Sequence, residues 1–218
     1  MEGATQSKLP NGKSTCNAVD VRPASPKDED DYFTAKSSAE PVCTEIDPEH
    51  ARLYCLALNN LWPRSELYRQ IVPTPPVFVY CSLMLPWVMA QVLGANTEQT
   101  TTYMTPAILR NYSRATVKYA ELPTIVRRRA GSTASDKDDI QGMLLGSPRD
   151  WALGRIEEYT ALDNHERDVV EVEVTTDNGE KIVVAAYAHV WVGNSILLED
   201  KIWDPVEYMK SSQQRRQS

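Results

Sequence analysis

Apolar and polar positions divide this chain into a polar stretch, a helical lead-in and a long run of short strands. Residues 1–45 are rich in Ser, Thr, Pro, Lys, Asp and Glu, carry few large apolar side chains, and include the charge run Asp28-Glu29-Asp30-Asp31. Such a segment buries too little surface to offset its ordering entropy, so a disordered tail is expected there. Order is expected from about residue 46. Asp47 can cap a helix that has Pro48 at its first position. Ala51, Tyr54, Cys55, Leu58 and Leu61 then recur at three- and four-residue steps and form one apolar face. Pro63 ends that helix, Ser65 to Gln70 allows another turn, and Val72-Pro73-Thr74-Pro75-Pro76 is extended. Residues 46–75 therefore read as a helical lead-in.

The next segment is the most informative. Val77 to Tyr80 is a β-branched and aromatic run, expected to be a buried strand. It stops at the small residues Cys81 and Ser82. Pro86 then opens a helix through Trp87, Val88, Met89, Val92 and Leu93 that ends at Gly94. A strand, a tight turn and a helix present backbone N–H groups at a helix N-terminus, which suits an anion such as a carboxylate. The same shape is also an ordinary junction whose amides bond to water.

Further strands are expected at Ala107 to Leu109, Ala115 to Tyr119, Leu122 to Val126 and Ile140 to Leu145, the last with Gly142 inside it. Ser147-Pro148 starts a helix through Trp151, Leu153, Ile156 and Tyr159. Asp168 to Thr175 and Lys181 to Val192 are longer strands joined by Asp177-Asn178-Gly179, a hairpin signal. Leu197 to Met209 ends in a short helix, and 211–218 reads as a polar tail. In the domain at 76–210, strands outnumber helices and do not alternate with them. The expected class is α+β, with a curved, mixed or barrel-like sheet and helices packed at one side.

Composition narrows the functional classes. The formal net charge is −7, and no basic stripe stands out, so nucleic-acid binding is disfavoured. The short clusters Arg127-Arg128-Arg129 and Arg215-Arg216 read as solvated surface. No window approaches the ~20 apolar residues that span a bilayer, and no apolar leader opens the sequence. Cys16, Cys43, Cys55 and Cys81 lack CxxC spacing, which suits free thiols in a reducing, cytoplasmic setting. His50, His165 and His189 form no metal-ligand motif, so neither a metal nor another cofactor is expected.

Several ordered blocks resemble the γ-glutamylcyclotransferase-like family, in its plant avirulence-induced branch and fungal relatives. The opening block is Phe78-Val79-Tyr80-Cys81-Ser82-Leu83-Met84, similar to the family's Tyr-Gly-(Thr/Ser)-Leu-Met, followed by Gln91-Val92-Leu93-Gly94. Val117 to Ile125, Gly142-Met143-Leu144-Leu145, Val190-Trp191-Val192-Gly193, Leu198-Glu199-Asp200 and Trp203-Asp204 continue the likeness. The resemblance implies a small mixed β-barrel with flanking helices and a central cavity. It implies a loop at Tyr80, Cys81, Ser82 and Leu83 that binds a small substrate carrying a carboxylate or γ-glutamyl group. It also implies a transferase chemistry. A glutamate takes a proton from the substrate α-amine, which attacks the γ-carbonyl and releases 5-oxoproline.

Two positions depart from the family pattern. Cys81 stands where the loop glycine belongs, and a glycine there serves positive φ or close ligand approach. In Ile156-Glu157-Glu158-Tyr159-Thr160, Thr160 stands where the general base belongs, and a hydroxyl does not accept a proton near neutral pH. Glu158 is the nearby substitute base, although one helical residue turns a side chain by roughly 100°. A tyrosine is common where His189 stands. On a period-two strand His189 shares a face with Tyr187 and Trp191, expected to be the cavity face. These residues allow three readings. The first is a cyclotransferase using Glu158 or another carboxylate. The second is a divergent enzyme, as on a fungal biosynthetic pathway, with Cys81 as nucleophile and His189 as base. The third is a non-catalytic module that binds a small acid.

Overall fold

The computed structural model describes residues 46–118, 122–128, 139–146, 148–160, 164–201 and 203–217. The tail expected over 1–45 lies outside the described residues. Two helices lead in, α1 (Pro48–Leu58) and α2 (Arg64–Gln70). The Asp47 carboxylate caps α1 by accepting from Glu49 N at 2.8 Å, with Pro48 filling the first turn as expected. Ala57 packs with Met89 and Met104, while Trp62 and Leu67 enter the barrel's core. The lead-in thus shares the hydrophobic interior of the barrel domain.

The strand β1 (Val77–Val79) is followed by a 3₁₀ turn at Ser82–Met84 and by α3 (Pro86–Leu93). Gly94 ends α3 at φ +62°, a left-handed cap that favours glycine. A helix that hydrophobic periodicity misses comes next, α4 (Thr97–Thr102), with sequence Thr-Glu-Gln-Thr-Thr-Thr. Its existence rests on a cap: the Asn96 side chain accepts from Gln99 N at 3.0 Å. The remaining elements are β2 (Met104–Leu109), β3 (Tyr112–Val117), β4 (Leu122–Arg127), β5 (Ile140–Leu145) and α5 (Asp150–Thr160). After them come β6 (His165–Thr175), β7 (Lys181–Trp191), the two-residue β8 (Leu198–Glu199) and α6 (Pro205–Gln217). The segment read as a polar tail from residue 211 continues as helix to Gln217.

The α+β barrel expected from the sequence is present. Five strands close in the order β1-β5-β2-β6-β7, and a separate sheet has the order β4-β3-β8. All the barrel pairings are antiparallel except the closing one, β1 with β7, which is parallel through Val77↔Tyr187. The β6–β7 hairpin runs in register from His165↔Trp191 to Thr175↔Lys181. Its turn is fixed by Asn178, whose Oδ1 accepts from Thr176 Oγ1 at 2.7 Å and from Glu180 N at 3.0 Å. Gly179 sits there at φ +83°.

Strand alternation sorts the core. Phe78 and Tyr80 point inward against Leu144, Val172, Ala186 and Ala188. Val77 and Val79 point outward against Met89 of α3 and Ile156 of α5. Each such apolar side chain contributes about 1.5–3 kcal/mol when fully buried. The barrel's interior is therefore a packed apolar core. The central cavity implied by the family resemblance is filled by these side chains.

Candidate functional site

Tyr80 directly follows β1 and is only 5% exposed, and its hydroxyl donates to the His189 carbonyl at 2.6 Å. Desolvation pushes the phenol far above its ordinary pKa, so it remains a proton donor. This bond ties the loop to β7. Beyond it, Cys81 adopts φ −115° and ψ −155°, an extended conformation open to any residue. The expected backbone strain from replacing glycine is thus absent. The following turn spends its amides locally, Met84 N on Cys81 O at 2.9 Å and Leu85 N on Ser82 O at 3.0 Å. Burial raises the Cys81 thiol pKa, and it outweighs the lowering by the backbone N–H groups of Leu83 and Cys81 and by the Ser82 hydroxyl. Cys81 is accordingly a thiol, without the lowered pKa of a helix-terminal nucleophile. Leu83 is 1% exposed and packs in the core rather than facing the loop's cleft.

A cleft does lie against this loop. It is lined by Tyr80, Cys81, Ser82, Pro123, Tyr159, Thr160, His165 and His189. Three of these, Tyr159, His165 and Pro123, are not among the site residues expected from the sequence. A signal for His165 exists all the same, because the hairpin register places it opposite Trp191, and their rings meet edge-on at 5.2 Å. Thr124 Oγ1 shares a hydrogen bond with His165 Nε2 at 2.8 Å. The cleft is narrow, about 40 Å³. Small-molecule sites typically run to about 300–1,000 Å³. Tyr159 narrows it: its hydroxyl shares a 3.0 Å hydrogen bond with Ser82 Oγ and spans from α5 to the loop. Tyr159 as a residue is 46% exposed, while Ser82 at the other end of the bond is buried.

His189 reaches the cleft from β7. Its neighbours Ala188 and Val190 are buried in the barrel, so on a period-two strand His189 faces outward with Tyr187 and Trp191. The shared face is as expected, but it is the outer face of the barrel rather than the wall of a central cavity. Burial pulls the imidazole pKa below the ordinary value of 6.5, against the opposing pull of Glu157. His189 is therefore neutral at pH 7 and free to accept a proton.

The end of α5 explains where the carboxylates go. Ile156 is buried, so Thr160, four residues on, lies on the same face and meets the cleft. Its hydroxyl donates to Ile156 O at 2.7 Å and is thereby committed to its own helix. Glu157 turns away to pair with Arg167, whose guanidinium stacks 4.8 Å above the Tyr187 ring. Glu158 is exposed and does not line the cleft. No carboxylate is among the lining residues. Among the described residues no group of three or more His, Cys, Asp or Glu side chains could hold a metal ion. None of the described helices is long and apolar enough to cross a membrane.

A barrel of this order, carrying the Tyr80 loop against α5 and β7, defines the class. Residues 77–205 match the family model described as gamma-glutamyl cyclotransferase, AIG2-like, and the chain belongs to that family. Among solved structures, it is similar to a solution structure of an Arabidopsis thaliana protein. The two share 22% identity over 65% of this chain and 84% of that one, with a TM-score of 0.43. It is also similar to a gamma-glutamyl cyclotransferase at 14% identity over 63% of this chain and 78% of that one, TM-score 0.40. A yeast gamma-glutamyl cyclotransferase specific to glutathione shares 12% identity over 58% of this chain and 73% of that one, TM-score 0.40. No curated protein matches the sequence.

Proposed function

We propose that the chain is a divergent γ-glutamyl cyclotransferase-type enzyme in which His189 takes the proton that a glutamate takes in the family pattern. The observation that carries this is the lining of one cleft by the Tyr80–Ser82 loop, Thr160 and a neutral His189, with no carboxylate among them. The substrate is a small amide with a free amine and a γ-acyl group. Its amine nitrogen attacks the γ-carbonyl as His189 accepts the amine proton. The amide C–N bond then breaks, the proton passes to the departing nitrogen, and 5-oxoproline and an amine leave. Proximity supplies most of the rate, because nucleophile and electrophile belong to one molecule. The Tyr159–Ser82 bond must open to admit this substrate, and Ser82 then has a hydroxyl to offer it. Cys55 and Cys81 are both free, which supports a reducing compartment such as the cytoplasm.

The test is 5-oxoproline release from glutathione and γ-glutamyl dipeptides, followed by mass spectrometry. His189→Gln is expected to lower kcat by about 10²–10⁴-fold, the usual worth of a general base. Glu158→Gln should leave turnover unchanged, and Thr160→Glu should raise it. Wild-type turnover that survives His189→Gln removes the imidazole from the reaction. The closed cleft and the committed Thr160 hydroxyl favour a second reading, a binding module for a small acid. In that case no 5-oxoproline forms, while a γ-glutamyl compound still raises Tm.

A further inference from the structure

A larger cleft, of about 490 Å³, meets the same loop at Met84. Its walls include Tyr54, Met84, Arg114, Trp203, Asp139 and Asp204, drawn from α1, the loop, β3, the entry to β5 and the entry to α6. We infer that this cleft is a second ligand site, which binds a small organic carboxylate through Arg114 and Tyr54 with its flat or apolar body against Trp203 and Met84.

Arg114 is the centre of the argument. Its guanidinium is held in place, with Nη1 donating to Trp203 O at 3.1 Å and Nη2 to Gln141 O at 2.8 Å. It lies 5.6 Å from the centre of the Trp203 ring. Neutral carbonyls do not balance a charge; Asp204 on the same cleft attracts it through space, but no carboxylate among the described residues forms a salt bridge with it. Burial pulls its pKa below the ordinary arginine value, which marks the cost of keeping this cation out of water. The remaining N–H donors of the fork are fixed in direction and suit a carboxylate. Tyr54 adds a second donor. Its residue is 9% exposed, it lines the same cleft, and its hydroxyl makes no hydrogen bond among the described residues.

The other charges set the valence of the guest. Arg128 also lines the cleft, and so do two carboxylates. Asp139 lies 3.9 Å from Arg110, and Asp204 caps α6 by accepting from Val206 N and Glu207 N at 2.8 and 2.9 Å. These two acids repel a dianion more than a monoanion, which favours a carboxylate over a phosphate. They also tolerate an amine on the guest. The volume is within the range of small-molecule sites.

The full chain is titrated with benzoate, with its uncharged counterpart benzamide and with inorganic phosphate, following Trp203 indole NMR shifts and Tm. Benzoate is expected to saturate, with benzamide and phosphate each at least about tenfold weaker. Tyr54→Phe should weaken benzoate several-fold and Arg114→Lys more than about tenfold, since lysine lacks the fork. His189→Gln should leave benzoate binding unchanged, which separates this cleft from the one at Tyr159. If Arg114→Lys does not fold, Tyr54→Phe alone decides. Equal binding of benzoate and benzamide overturns the site, as does benzoate affinity that Tyr54→Phe leaves intact. Absence of any saturation with benzoate overturns it too.

Discussion

Adding one methyl group to Gly142 tests the packing that supports the Tyr80 loop. Gly142 lies in β5, beside Met143, whose partner in β1 is Val79. A Cβ at Gly142 would lie 2.5 Å from Phe78 Cε2 and 2.6 Å from the Val79 carbonyl oxygen. The ring is part of the barrel interior, and the oxygen is backbone, so neither can retreat without shifting β1. Overpacking of this kind costs about 1–3 kcal/mol, and contact with backbone places Gly142→Ala at the upper end, about 3 kcal/mol. At about 2–4 °C per kcal/mol for a domain of this size, Tm should fall by roughly 6–12 °C. Gly154→Ala supplies the opposite sign in the same assay. Gly154 lies within α5, and nothing stands within 4 Å of its added Cβ. Alanine there should stabilise by about 0.5–1 kcal/mol through helix propensity, a Tm rise of about 1–4 °C. Thermal unfolding of both variants by circular dichroism reads the contrast. A Gly142→Ala protein that melts within about 2 °C of wild type would show that β1 yields easily, and the packing account would be wrong.

The site carries three further expected outcomes. Tyr80→Phe leaves the His189 carbonyl without its 2.6 Å donor, at a cost of about 1–3 kcal/mol by urea denaturation; an unchanged midpoint would mean another donor replaces the phenol. Because the folded-state pKa of His189 is depressed, the unfolded chain binds more protons between that value and 6.5. Stability therefore climbs with pH through this window and is lost as pH falls. His189→Gln should flatten that part of the profile, and superimposable profiles would refute the assignment. Finally, Cys81 should react with iodoacetamide more slowly than exposed Cys55 at pH 7, because burial raises its pKa. Faster labelling of Cys81 in site-resolved mass spectrometry would restore it as a nucleophile.

The legible parts of this fold are those with strong local signals. Asp47-Pro48 and Pro86…Gly94 mark helix ends because caps and prolines act within a few residues. The β6–β7 hairpin is plain from its β-rich runs around Asn178-Gly179. The helix at Thr97–Thr102 is illegible because its residues have no apolar period and its stability comes from Asn96 and from its neighbours. At the site, period-two reasoning groups His189 with Trp191 correctly but cannot say which face is inside, since that depends on how β1 closes the barrel. Tyr159 and Pro123 reach the cleft from α5 and β4, elements well separated in sequence from the loop they meet. Arg114 is unremarkable in the sequence, and only tertiary packing buries its charge.

The closing pair of strands also sets how the barrel can breathe. β1 has three residues, and it meets β7 at Val77↔Tyr187, with Tyr187 N donating to Pro76 O at 2.8 Å. On its other edge β7 is stitched to β6, and the two strands run eleven residues each. The seam is thus the thinnest line of the cylinder, and Tyr80 and His189 are at its edge, pinned across it by one phenolic bond. Any unzipping there separates the two halves of the cleft while the long hairpin stays whole, so the resilience of the Tyr80–His189 pocket depends on the shortest strand of the barrel.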